Sequence, residues 1–141
     1  MFPKPFFLHQ ILGLPIGKKG NFQISEWVMN NDDFLREFIS GFFDAEGSIY
    51  IDKFQKVGIC LTNSNLSFLT TIRLLLQSRF GIEFGSFYRK HNQNAFEIKT
   101  RSKEVILRFC QKIGFRHPYK LEKMEECLGH LKNVRSRKHI I

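Results

Sequence analysis

Asp44 and Glu46 lie two residues apart in GFFDAEGSIYI, residues 41–51, where an apolar run ends and an alternating one begins. Acids at that junction fall at the C-terminal end of a helix, where the macrodipole disfavours negative charge. Clustered carboxylates are relieved by protonation or by a divalent cation, and hard oxygen donors suit magnesium. Beside a phosphate-binding surface, such an ion would polarise a phosphodiester, activate water and stabilise the leaving oxygen. An isolated DxE is more often an acidic helix end left in water, so the elements around it must decide.

The first of these is a helix starting at Asp32 or Asp33, either of which could cap it, with Phe34, Leu35, Phe38, Ile39, Phe42 and Phe43 apolar. After Gly47, Ile49 and Ile51 alternate with Ser48, Tyr50 and Asp52, and Val57, Ile59 and Leu61 alternate with Gly58, Cys60 and Thr62. That period of two predicts a hairpin turning near residues 53–56. Leu66, Leu69, Ile72, Leu76 and Phe80 follow a helical period that stops at Gly81. FGSFYRK and NAFEIKTR, separated by HNQN, predict a second strand pair. Ser102 can cap KEVILRFCQKI, which ends at Gly114, and Pro118 suits the first turn of a last helix carrying Leu121, Met124, Leu128 and Leu131.

The order helix, hairpin, helix, hairpin, helix, helix predicts an α+β fold with helices on one face of an antiparallel sheet. The open face would present Ser48, Tyr50, Asp52, Thr62, Ser86, Tyr88, Lys90, Glu97, Lys99 and Arg101, together with Gly58, Cys60 and Ala95. Hydrogen-bonding and cationic side chains at alternate positions could read base edges in a DNA major groove, although one face of any antiparallel sheet can simply be solvated. The formal charge of +9 over 141 residues favours a polyanionic partner.

Gly41 costs about 1 kcal/mol relative to alanine in a helix interior. With Ser40 and Ala45 it leaves a stripe of small residues for close backbone approach. The natural partner is the same helix of a second copy, giving a two-fold homodimer; an intrachain contact explains the glycine equally well.

ISGFFDAEG, residues 39–47, resembles the motif of the LAGLIDADG homing endonucleases, with Gly41, Asp44, Ala45 and Gly47 matching and Glu46 standing where the motif name has aspartate. The resemblance extends over residues 32–133 and implies an αββαββα subunit whose curved four-stranded antiparallel sheet forms a DNA-binding saddle. It implies a homodimeric, site-specific double-strand DNA endonuclease that hydrolyses phosphodiester bonds at a long pseudo-palindromic site and leaves 3′ overhangs, as in intron homing. Mg2+ is the implied cofactor, with Mn2+ able to substitute. Glu46 and the Ala45 carbonyl are the implied metal ligands, and Asp44 is more a helix-end support. Ser40, Gly41, Asp44 and Ala45 are the implied dimer interface. Lys120, in HPYKLEKME, would organise the attacking water or stabilise phosphorane charge, and Asn63 would hold the water network. The alternative on the same scaffold is an intron RNA splicing cofactor (maturase) or a DNA-binding regulator.

Residues 1–31 are expected to be an N-terminal extension, in which Lys18 and Lys19 contact phosphate while Phe6, Phe7 and Trp27 pack on the domain. Residues 134–141 are expected to be a basic, frayed tail. Cys60, Cys110 and Cys127 lack the spacing of a disulfide framework or zinc cluster and are expected to be packing residues in a reducing compartment. No targeting signal or membrane span is visible, which fits the interior of a prokaryotic cell or an organelle.

Overall fold

In the computed structural model, residues 24–85, 88–89 and 94–140 are described, the last seven and residues 88–89 by their backbone alone. A single helical turn, α1 (Glu26–Met29), leads into α2 (Asp32–Glu46). Asn31, one residue before the expected acids, caps α2: its side-chain oxygen accepts the N–H groups of Asp33 and Phe34 at 2.9 and 3.1 Å. Asp32 and Asp33 fall in the first turn, where the dipole favours them.

Strand β1 (Gly47–Ile51) starts without a loop after α2 and turns back as β2 (Val57–Asn63). Helix α3 (Leu66–Phe80) is capped by Asn65 and ended by Gly81, whose φ of 67° few side-chain-bearing residues adopt. Strand β3 (Tyr88–Arg89) pairs with β4 (Phe96–Thr100), and α4 (Lys103–Lys112) and α5 (Pro118–Ile140) close the chain. The sheet is antiparallel in the order β1-β2-β4-β3. It therefore consists of three full strands and one of two residues.

The alternation sorts the sheet as expected. Ile49, Val57, Ile59, Leu61 and Ile98 point into a core shared with Leu35, Ile39, Leu69, Ile72 and Ile106. Phe43 stands at its centre, its ring 4.7 Å from that of Phe109 and 5.8 Å from that of Phe84. Burying a side chain of this size stabilises the fold by roughly 1.5–3 kcal/mol, and Phe43 is the residue immediately before the acids. The acids thus follow directly on a residue anchored in the core.

Four expectations are corrected. Residues 24–31 belong to the domain: Val28 is buried, and the Met29 carbonyl accepts from Arg79 at 2.6 Å. Trp27 does pack on α2, edge-on to Phe34 at 5.2 Å, while the expectations for Phe6, Phe7, Lys18 and Lys19 lie outside the described residues. The last helix runs through the expected tail to Ile140, because nothing between 118 and 140 breaks it except the tolerated Gly129. Leu66 and Leu121 are exposed, whereas Cys127 takes the buried position on α5.

Candidate nucleic-acid interface and acidic helix end

The C-terminal end of α2 is held from three sides. Asp44 is buried, and both its oxygens accept the backbone N–H of Arg116, at 3.0 and 3.1 Å. Ser40 donates its hydroxyl to the Gly114 carbonyl at 2.9 Å. From the first turn of α5, Lys120 donates to the carbonyls of Phe43, Asp44 and Gly47 at 3.2, 2.6 and 2.7 Å. A helix ends with four carbonyls lacking intrahelical partners, so an ammonium there satisfies the dipole and the orphaned oxygens together. Burial pushes the Lys120 pKa down, against the opposing pull of Asp44 and Cys60.

This geometry divides the expected site residues. Ser40 and Asp44, expected between two copies, are instead used inside the chain, because the 114–116 turn after α4 crosses that side of α2. Gly41 is also buried, whereas Ala45 and Glu46 are exposed. Asp44 acts as the helix-end support, so the two acids of DxE have opposite environments two residues apart.

The carboxylate of Glu46 accepts a hydrogen bond from the side-chain amide of Asn63 at the end of β2. Asn63 is itself fixed, its oxygen accepting the Asn65 N–H at 2.7 Å. Gly47 and Leu61 are paired across β1 and β2, and this register brings Asn63 back to the helix end. Lys120 and Asn63 thus both bond to the end of α2, Lys120 to its main chain and Asn63 to the exposed Glu46.

The open face begins at that point and runs outward along the hairpin. Cys60 faces Ser48 across one strand junction and Lys99 across the other, with the Ser48 Oγ and Cys60 Sγ 3.1 Å apart. Thr62 donates to Glu97 at 3.2 Å. Glu97 is only 7% exposed, so it is a covered acid within the face and not the freely projecting reader the alternation suggested. Asp52 is likewise committed: one oxygen accepts the N–H groups of Phe54 and Lys56 at 2.8 and 3.0 Å, and the other lies 3.6 Å from Arg101. These hydrogen bonds, the Lys56 N–H first, hold its carboxyl below the usual value. Tyr50 and Arg101 lie outward of Lys99, while Ser86 and Lys90 fall outside the described residues and Tyr88 is described by backbone only.

Gly58 has no counterpart in the motif reasoning. A Cβ there would stand 2.5 Å from the Tyr50 ring, so the glycine lets that ring lie across β2. Gly47, the motif's last glycine, is needed for space and not for its φ of −92°: a Cβ would meet the Phe43 carbonyl at 2.9 Å and the Cys60 carbonyl at 3.1 Å.

Among the described residues no group of three or more His, Cys, Asp or Glu converges into a metal cage, and no helix is long and apolar enough to cross a membrane. The exposed acid here is the Glu46 carboxylate, an oxygen donor that suits Mg2+ in kind.

A helix whose acidic end opens onto the polar face of an antiparallel sheet defines an α+β domain with its helices on one face. Residues 33–114, more than half the chain, match the family model described as LAGLIDADG-like domain, and the chain belongs to that family. It is 33% identical over 125 residues to a glutamine–fructose-6-phosphate aminotransferase of Methanocaldococcus jannaschii, covering 85% of this chain and 11% of the relative. It is 30% identical over 93 residues to the homing endonuclease I-ApeI of Aeropyrum pernix, covering 66% of this chain and 40% of the relative. Over 131 residues it is 27% identical to elongation factor 2 of Methanopyrus kandleri, covering 90% of this chain and 10% of the relative. The chain thus spans well under half the length of these curated relatives.

The fold is shared with solved structures. A mutant of I-SmaMI superposes with a TM-score of 0.55 at 24% identity, over 73% of this chain and 38% of that one. Homing endonuclease I-CvuI in complex with its target gives 0.54 at 19%, over 76% and 71%. Full-length DUF199/WhiA from Thermatoga maritima gives 0.54 at 20%, over 84% and 45%.

Proposed function

We propose that this domain is a site-specific double-strand DNA endonuclease that acts as a homodimer, with Glu46 as its metal-binding carboxylate. The observation that carries the proposal is the contrast at the helix end. Asp44 is buried and fully used, whereas Glu46 is exposed, aimed by Asn63, and stands where the polar sheet face begins.

One chain supplies one such carboxylate, and a second copy would supply the other. The side of α2 carrying Phe34, Glu37 and Ala45 is exposed, so it offers a surface for that pairing. Bound between two Glu46 side chains and nearby main-chain oxygens, Mg2+ or Mn2+ would supply Lewis-acid activation of the phosphodiester. Asn63 holds the Glu46 carboxylate in position, and Lys120 keeps the helix end rigid and lowers its negative potential. The open sheet would lie in the major groove, with a basic chain favouring many phosphate contacts and steep salt dependence. Cleavage across the minor groove would leave 3′ overhangs.

The curated matches support a mobile module. An aminotransferase and an elongation factor have unlike names, yet each matches this chain over only 10–11% of its own length. A segment found within such different hosts is what a homing domain would give.

The test is to incubate a random duplex-DNA library with Mg2+ and either the protein or Glu46→Gln, and to sequence the cut ends. Cutting at a near-palindromic consensus, lost in the variant, is expected. Enrichment of bound DNA without cutting would instead make the domain a regulator. Selective retention of structured RNA would make it a splicing cofactor.

A further inference from the structure

The outer end of the open face holds a built unit that the motif does not include. Arg101 follows Thr100, the last residue of β4, whose cross-strand partner is Ile59. It is half-exposed and projects on the polar side. Its guanidinium lies 3.6 Å from Asp52 Oδ2 and engages the hydroxyl of Tyr50. Neither partner is free to follow it. Asp52 is tied into the hairpin turn through Oδ1, and the Tyr50 ring lies across the space left by Gly58.

A guanidinium carries five N–H groups, so one tethered beside an acid and a hydroxyl keeps others for a ligand. Guanine presents two acceptors, O6 and N7, at the spacing of that fork in the major groove, and no other base does. We infer that Arg101 is a guanine-reading residue of the half-site, with Asp52 and Tyr50 as positioning residues that contact no base. This rests on the nuclease reading for the presence of duplex DNA on the sheet, and it adds which residue reads, which base, and where. The outward run of β1 from Glu46 places the guanine toward the flank of each half-site, away from the cut.

Conservative variants separate the roles. Asp52→Asn keeps the oxygen that closes the turn and removes the charge facing Arg101. Tyr50→Phe keeps the ring over Gly58 and removes the hydroxyl. Arg101→Gln removes the fork. The experiment selects bound duplexes from a random library with each purified protein, after circular dichroism and thermal melting confirm an unchanged fold. Competition then measures guanine against adenine at the affected position.

Wild type is expected to require guanine at one flanking position per half-site, with discrimination of about 5- to 150-fold. Arg101→Gln should abolish it there and leave the consensus elsewhere unchanged. Asp52→Asn and Tyr50→Phe should weaken it severalfold with little loss of overall affinity. An unchanged consensus in Arg101→Gln, with wild type still selective, overturns the inference and leaves the nuclease reading intact. A wild-type protein with no duplex selectivity overturns both.

Discussion

The Lys120 ammonium lies 2.6 Å from the main-chain oxygen of Asp44, a residue 76 positions earlier, and closes α2 from outside. Lysines that cap carbonyls usually sit in the last turn of the helix they close; this one reaches over from the first turn of another. Lys120→Met keeps the aliphatic stem and removes the ammonium that the carbonyls of Phe43, Asp44 and Gly47 share. A loss of roughly 1–3 kcal/mol in urea unfolding is expected, the range for charge-assisted hydrogen bonds. If Lys120 acted only on DNA, stability would be unchanged and only turnover would fall.

Gly47→Ala tests why the motif ends in glycine. The added methyl would meet backbone on both α2 and β2, and neither can yield without opening the helix–strand junction. The expected cost is about 1–3 kcal/mol, as for other overpacked sites. Gly58→Ala meets only the Tyr50 side chain and no backbone. It should cost less in thermal melting while disturbing the hold on Arg101.

What the chain disclosed in advance follows from the range of the interactions. Periods of two and 3.6 are local, so α2, the first hairpin, α3 and α4 could be placed from Ile49, Ile59, Leu69 and Ser102 alone. Strand parity likewise put Asn63 on the inner side, where it meets Glu46. The partners of Asp44 and Ser40 could not be read this way, because Arg116 and Gly114 come from a turn more than 70 residues away. The same limit hid Glu97, whose alternation is that of an exposed residue while its surroundings are not. Asp52 was legible as a polar position, but its use as a turn acceptor depends on how residues 53–56 fold back.

The cysteines give a pH dependence and a footprint. Burial pushes the Cys110 thiol up to about 12 from an ordinary 9.0, and raises Cys127 as well. The folded state therefore binds more protons than the unfolded chain between those values. The stability this provides is complete below 9.0 and falls as pH rises toward about 12. Urea midpoints should decline over that window, and less so in Cys110→Ala after allowing for its lower starting stability. Near neutral pH a maleimide should label half-exposed Cys60 first, with Cys127 protected until unfolding. Duplex DNA lying on the sheet should block Cys60 and leave the other two rates unchanged.

Asn63→Asp distinguishes a working carboxylate at Glu46 from a decorative one. The substitution keeps an oxygen to accept the Asn65 N–H, so the turn into α3 should survive. It replaces the amide that donates to Glu46 with a second negative charge, removing a hydrogen bond to the ionised form and adding repulsion. Both changes free the Glu46 carboxylate from the position the amide gives it. Cleavage should therefore fall about tenfold or more while duplex binding stays within a fewfold of wild type. Glu46→Gln should lose more, with cleavage reduced by at least about a hundredfold and binding again nearly unchanged. An Asn63→Asp protein that cuts as fast as wild type would mean that the hydrogen bond only shapes the strand end, and Glu46 would lose its claim to the chemistry.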